Sequence, residues 1–144
     1  MEKHRFVADY RLEVQVGHML RRANQRHTAI FHEGLNNHHI TPTQFAALIK
    51  IGDEKEVSQN QLGRLTAMDP ATILGVVKRL RDRKLVAARP DPQDRRRSLW
   101  RLSDEGRRLL ADLVPMAKRI SQDTLAPLTC GERRLLLDLL GKLS

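Results

Sequence analysis

The sequence predicts a mainly α-helical fold of six helices with one small β-hairpin, on three observations. Helix-start signals recur along it: TPTQ at 41–44, SQNQ at 58–61, DPAT at 69–72, Ser103 ahead of Asp104 and Glu105, and TCGE at 129–132. Apolar residues follow these starts at helical spacing. Two runs break that pattern, LVAARP at 85–90 and SLWRLS at 98–103, and they flank a segment rich in proline and aspartate, as the arms of an antiparallel hairpin would.

The first helix is expected over 12–31, where Leu12, Val16, Met19, Leu20, Ala23, Ile30 and Phe31 share one broad face. The second opens with Thr41 as N-cap, Pro42 in the first helical position and Gln44 placed to close a capping box. Its apolar residues are Phe45, Leu48, Ile49 and Ile51. Ser58 caps a short third helix, with Gln61 expected to reach back and Leu62 and Leu65 to mark its apolar side. Asp69 and Pro70 open a fourth over 70–83, whose inward face is Ile73, Val76, Val77 and Leu80. The hairpin follows, with a seven-residue basic tip over 91–97. Ser103 caps a long fifth helix carrying Leu109, Leu110, Leu113, Met116, Ala117 and Ile120, with a bend expected near Pro115. Asp104 and Glu105 suit the positive end of its dipole. Thr129 and Glu132 form a further capping box and open the sixth, with Leu135, Leu136, Leu139 and Leu140.

A chain of 144 residues makes one domain, or one domain plus helices that complete a partner's fold. Hydrophobic residues are 40% of it and aromatics 3%, so the core is aliphatic. A net charge of +9 and a pI near 10.6 imply a polyanionic partner. The charge is concentrated: residues 75–101 hold ten basic side chains against three acidic ones, seven of the net nine. The single cysteine excludes an intramolecular disulfide framework and a cysteine zinc site. No run approaches the roughly 18 apolar residues of a membrane span. The N-terminal MEKHRFVADYRLEV lacks the apolar core of a signal peptide, so a cytoplasmic protein is expected. No glycine-rich phosphate loop, activated-serine motif or suitably spaced carboxylate pair points to an enzyme. The aromatics Phe6, Tyr10, Phe31, Phe45 and Trp100 form no stacking platform for single-stranded RNA.

From Ser58 onward the order is short helix, tight turn (AMDP), second helix and hairpin, which is a helix-turn-helix followed by a wing. A short connection holds the two helices at a steep angle, so the second enters a major groove while the first braces on the backbone. Ser58 and Gln59 at the start of the first are candidate DNA contacts. Along the second, Thr72, Leu74, Gly75, Lys78 and Arg79 are candidates, with Ala71 and Asp82 also outward and Arg81 near phosphates. Leu74 suits contact with a thymine methyl. A slim hairpin tip bearing Arg95, Arg96 and Arg97 fits a minor groove, where the phosphate potential favours guanidinium groups. Asp94 or Asp91 can aim one of these arginines through a bidentate ion pair.

DPQDRR and the following LWRLSDEG resemble the wing and the strand-to-helix join of the MarR family of winged-helix repressors, and QLGRLTAMDPATILGVVKRLRDRKLV extends the match upstream. The resemblance implies that Asp94 and Arg96 are the paired wing positions, with Arg96 in the minor groove. It implies a homodimer joined through the N-terminal helix and the last two helices, with 1–35 and 104–144 as the dimerisation region and 41–103 as the DNA-binding lobe. The segments LLADLVPMAKRI and RLLLDLLGKL agree, carrying more apolar surface than one chain can cover. Two recognition helices then lie roughly 34 Å apart, and the operator is a pseudo-palindrome. The sequence departs from the family at Leu74 and Gly75, where polar residues are common, and at Lys84, where a helix-ending glycine is usual.

Such regulators answer to a small molecule, often an aromatic acid, held between the dimerisation and DNA-binding regions. In GHMLRRANQRH, Arg21 and His27 stand six apart, like an arginine–histidine pair of aromatic-acid-responsive members, and His18 is a third candidate. Arginine matches both oxygens of a planar carboxylate; a solvated arginine and a core-edge histidine are the alternative. TPTQFAAL and QNQLGRLTAMD resemble repressors of nicotinate degradation, whose effector is a hydroxylated nicotinate. A zinc-responsive regulator of the same fold would draw on His32, Glu33, His38 and His39. Cys130 stands at a helix start, where the dipole lowers a thiol pKa, but peroxide-sensing relatives keep their cysteine in the first helix.

Overall fold

A computed structural model of the protein describes residues 6–144; residues 1–5, the start of the expected dimerisation segment, lie outside the described residues. Six α-helices and a three-stranded sheet follow one another as α1 (Val16–Leu35), α2 (Pro42–Glu54), β1 (Val57–Ser58), α3 (Gln59–Leu65), α4 (Pro70–Asp82), β2 (Val86–Pro90), β3 (Ser98–Leu102), α5 (Asp104–Leu125) and α6 (Cys130–Lys142). Short 3-10 turns precede and follow α1, at Leu12–Val14 and Asn36–His38.

The caps set these boundaries. Thr41 and Gln44 exchange backbone and side-chain hydrogen bonds at 3.1 and 3.2 Å, and Thr129 and Glu132 do the same at 2.9 and 3.2 Å. Each such box satisfies two otherwise orphaned groups at a helix start. Gln44 is buried in making its pair. The Thr129 backbone N–H holds the Glu132 carboxyl below the ordinary carboxylate range. At Ser58 only half of the expected box forms. Its hydroxyl accepts from the Gln61 backbone at 3.2 Å, and no return bond from the Gln61 side chain accompanies it. Ser58 also closes β1 opposite Leu99, which puts its backbone in a strand ladder.

Three further expectations are corrected. The first helix begins at Val16 and runs to Leu35, four residues past the expected end, with Leu12 in a separate 3-10 turn. Leu65 does not face the core; it is 40% exposed at the C-terminal end of α3. The expected antiparallel hairpin forms, and a short strand joins it in a sheet ordered β1-β3-β2, with Val57 opposite Trp100 and Val86 opposite Leu102. A two-residue strand carries no periodicity by which a sequence could announce it. α5 runs uninterrupted through Pro115.

One core joins these elements. Phe31 and Leu35 of α1 meet Leu48 and Ile51 of α2, Leu62 of α3, the four buried residues of α4, Trp100 of β3, and Leu113 and Ile120 of α5. The turn from α3 to α4 is tight because Ala67 takes a left-handed conformation (φ 54°), so that Met68 N–H bonds back to Gly63 O at 2.9 Å. A Cβ at Gly63 would stand 3.1 Å from Met68 O, so glycine permits this close approach. Lys84, where a glycine is usual, does adopt the left-handed conformation (φ 60°). Lys84 and Leu85 donate back to Arg81 and Leu80 at 2.8 and 3.0 Å, ending α4 in a Schellman motif.

The two ends of the chain are covered least. α6 has no buried residue, and Leu135, Leu137, Leu139 and Leu140 are exposed along it. Val14, Val16, Met19 and Leu20 are exposed at the other end. Among the described residues no helix is long and apolar enough to cross a membrane.

Candidate nucleic-acid interface

The tip of the hairpin is ordered by its two aspartates. Asp91 accepts from the Gln93 backbone at 2.9 Å, and its own N–H donates to Arg97 O at 2.9 Å, closing the loop. Asp94 accepts from the Arg96 backbone at 3.1 Å, and its carboxylate receives Arg96 Nε and Nη2 at 3.1 and 3.3 Å. Arg97 Nε lies 3.6 Å from Oδ2 of the same carboxylate. Asp94 therefore aims Arg96, while Asp91 shapes the turn. The Arg96 side chain bonded to it holds the Asp94 carboxyl below its ordinary range. The Arg96 side chain is nonetheless 91% exposed: it is oriented without being covered. Arg95 is exposed beside it.

Two of the ten basic residues of the 75–101 stretch, although exposed, are committed to structural tasks. Arg89 grips Glu56 through both carboxylate oxygens, with contacts from 2.6 to 3.1 Å, and ties the wing strand β2 to the segment ahead of β1. The Arg89 hydrogen bonds push the Glu56 carboxyl down, and Glu56 in turn raises Arg89. Arg83 donates to the backbone carbonyls of His39 and His38 at 2.8 and 2.9 Å, fastening the loop after α1 to the end of α4. These partners stand 33 and more residues away in sequence, beyond the reach of any local pattern.

α4 sorts as expected. Ile73, Val76, Val77 and Leu80 are buried. Ala71, Thr72, Leu74, Lys78, Arg79, Arg81 and Asp82 are exposed, and Gly75 is half-buried. Asp69 caps the helix by accepting from Thr72 N at 2.7 Å, and that backbone N–H keeps the Asp69 carboxyl below its usual range. The guanidinium of Arg79 lies back over Gly75, since a Cβ there would stand 3.5 Å from Arg79 Nη1. Where the family commonly has a polar side chain, this helix thus presents an arginine folded over a glycine. Ser58 and Gln59 are half-buried and line a concavity of about 310 Å³ with Arg96 and Arg97 of the wing.

The expected effector residues are not gathered in the single chain. His18 and Arg21 lie on the first turns of α1, Arg21 exposed and His18 half-buried, with a buried Nδ1 that has no partner among the described residues. His27 lies elsewhere, with Nδ1 2.9 Å from the Thr124 hydroxyl of α5. That hydroxyl donates to Ile120 O at 2.8 Å, so its oxygen accepts from His27 Nδ1–H. Six residues along an α-helix turn side chains about 120° apart, so Arg21 and His27 occupy neighbouring faces. Arg26, which the sequence reading missed, donates to the carbonyls of Thr124 and Asp123 (3.0 Å for the latter) and caps the C-terminal end of α5. Between α1 and α5 opens a cleft of about 880 Å³ lined by Arg26, Ile30, Pro115, Met116, Arg119 and Ile120, and neither His18, Arg21 nor His27 lines it. His32, Glu33, His38 and His39 do not assemble; among the described residues no three His, Cys, Asp or Glu side chains group to hold a metal ion.

Comparison with known proteins agrees with this geometry. A family model described as MarR family matches residues 38–97, the span from the end of α1 to the wing. The chain is 43% identical over 134 residues to the HTH-type transcriptional repressor NicR of Pseudomonas putida, covering 93% of this chain and 85% of that one. A crystal structure of a probable transcriptional regulator from Pseudomonas aeruginosa is 48% identical with a TM-score of 0.88, over 93% of this chain and all of that one. A structure of BpsR from Bordetella bronchiseptica, described as a mechanism for regulation of DNA binding by 6-hydroxynicotinic acid, is 41% identical with a TM-score of 0.89, over 94% and 97%. With the wing, the paired helices and nearly the whole chain length matched, the protein belongs to the MarR family of helix-turn-helix transcriptional regulators.

Proposed function

We propose that the protein is a homodimeric, sequence-specific DNA-binding repressor that a small aromatic acid, such as a hydroxynicotinate or a hydroxybenzoate, releases from its operator. The observation that carries this is the exposed, bidentate Arg96–Asp94 pair at the wing tip, in one lobe with the open face of α4. A guanidinium held in this way reaches a minor groove with little ordering left to do. In this reading, residues 41–103 form the DNA-binding lobe, and 1–35 with 104–144 form the dimerisation region. The uncovered apolar residues of α1 and α6 support the dimer, because patches of that extent are ordinarily interfaces. His18 and Arg21 share the α1 segment of Val16, Met19 and Leu20, so a partner protomer that covers those residues would also wall a pocket around them. The similarity to BpsR, whose DNA binding is regulated by 6-hydroxynicotinic acid, supports a hydroxylated nicotinate over other aromatic acids.

The test is a footprint on duplex DNA selected from random sequence, repeated with 6-hydroxynicotinic acid. A protected pseudo-palindrome with half-sites about one helical turn apart, lost on adding the acid, is the expected result. Binding without sequence preference would overturn the repressor reading, and a monomer in sedimentation at micromolar concentration would overturn the dimer. Arg21→Ala is expected to leave operator affinity unchanged while raising the effector concentration for release at least about tenfold, the loss of one charge-assisted hydrogen-bonding group. Release at the wild-type concentration would remove Arg21 from the pocket.

A further inference from the structure

A protein that holds one DNA groove with a helix and the adjacent groove with a wing must straddle the sugar–phosphate strand between them. In this chain the space between wing and helix pair is the 310 Å³ concavity bounded by Ser58, Gln59, Asn60 and Arg64 on one side and Arg96 and Arg97 on the other. Among the described residues, three guanidinium groups line it and no carboxylate does. Asn60 and Arg64 also line the adjoining cleft between α3 and α4, together with Met68 and Pro70. The two hollows therefore share these two residues as walls. Arg64 is exposed on α3, and the Asp94 carboxylate is already engaged by Arg96 and Arg97.

On the DNA-binding reading above, we propose that this concavity is the seat of the phosphodiester strand separating the two grooves, with Arg64 and Asn60 as its contacts from the helix pair. A polyanionic strand meets there three guanidinium groups, two of which share the single Asp94 carboxylate, and Asn60 supplies a neutral amide donor. The contact is to phosphate, so it positions the protein and carries no sequence information. It also couples the wing to the helix pair: Arg64 and Arg96 close on the same strand from opposite sides, which fixes the depth of the wing in its groove.

The test is a titration of duplex DNA, selected and random-sequence, across a salt series with the full chain and three variants. Arg64→Gln is expected to lose about tenfold on both duplexes alike and to flatten the salt slope by about 0.9. Asn60→Asp, which places a carboxylate against the same phosphate, is expected to lose more, and Arg64→Lys to restore most of the slope. An unchanged thermal midpoint separates this from a fold defect. If Arg64→Gln and Asn60→Asp match the parent in affinity and slope, the concavity is not a phosphate seat, and the repressor reading still stands. A loss confined to the selected sequence would equally overturn it, since a phosphate contact does not discriminate. Failure of the parent chain to bind duplex DNA would instead remove the reading on which the proposal rests.

Discussion

Replacement of Arg96 by alanine is expected to weaken operator binding more than tenfold and to flatten its salt dependence by about one phosphate's worth. A tenfold loss corresponds to about 1.4 kcal/mol, within the range of one charge-assisted contact. The side chain is 91% exposed, so its removal takes nothing from the core, and the thermal midpoint should hold. What disappears is a guanidinium that Asp94 has already oriented. What stays is the Asp94 carboxylate, now offset by Arg97 alone and set against the phosphates. The variant thus loses an attraction and uncovers a repulsion. Asp94→Asn separates the two: the cation remains, its anchor is weaker, and the expected loss is smaller. Anisotropy titrations across a salt series read both quantities. Unchanged affinity for Arg96→Ala would take the wing out of the binding mechanism.

The local features of this fold were legible because local chemistry writes them. Helix starts are decided within four residues, and Thr41, Ser58, Asp69, Ser103 and Thr129 each accept the backbone hydrogen bond their position promised. The faces of α4 follow from a period of 3.6. The aspartate–arginine wing was legible because donor and acceptor stand two residues apart. What was not legible is what joins distant segments. β1 is two residues long and exists because Val57 and Ser58 find β3 some forty positions later. Glu56 neutralises Arg89 across the sheet, and Arg26 and His27 reach Thr124 at the far end of α5. The charge count over 75–101 therefore overstated what DNA can meet. The spacing of Arg21 and His27 suggested a pair, but a helix turns those two side chains onto different faces. A site for both has to be completed by something outside the single chain.

A second large effect is expected at Gly106, where a methyl group has no room. A Cβ at this position would stand 2.1 Å from the carbonyl oxygen of Leu85 and 3.1 Å from its carbon. Both obstacles are backbone, so no side-chain rotation relieves the clash. The oxygen is also committed, since it accepts from Ser103 N–H at 3.0 Å, while the Ser103 hydroxyl donates to Lys84 O at 2.6 Å and accepts from Gly106 N–H at 3.0 Å. These bonds clasp the start of α5 to the residues that end α4 and begin β2. Gly106→Ala must move one of those segments, at an expected loss of about 3 kcal/mol or more and roughly 10 °C in thermal midpoint. If α4 enters the groove as proposed, DNA affinity should fall with it even below the melting range, because Leu85 follows directly on the left-handed Lys84 that ends α4. Gly131→Ala is the matched control. A Cβ at Gly131 meets nothing within 4 Å, and alanine in a helix gains up to about 1 kcal/mol over glycine, so that variant should melt no lower than the parent. A Gly106→Ala protein that melts with the parent and binds DNA equally would mean that the clasp yields freely. The recognition helix and the long helix behind it would then move independently, and an effector bound against α5 would have no rigid path by which to shift α4.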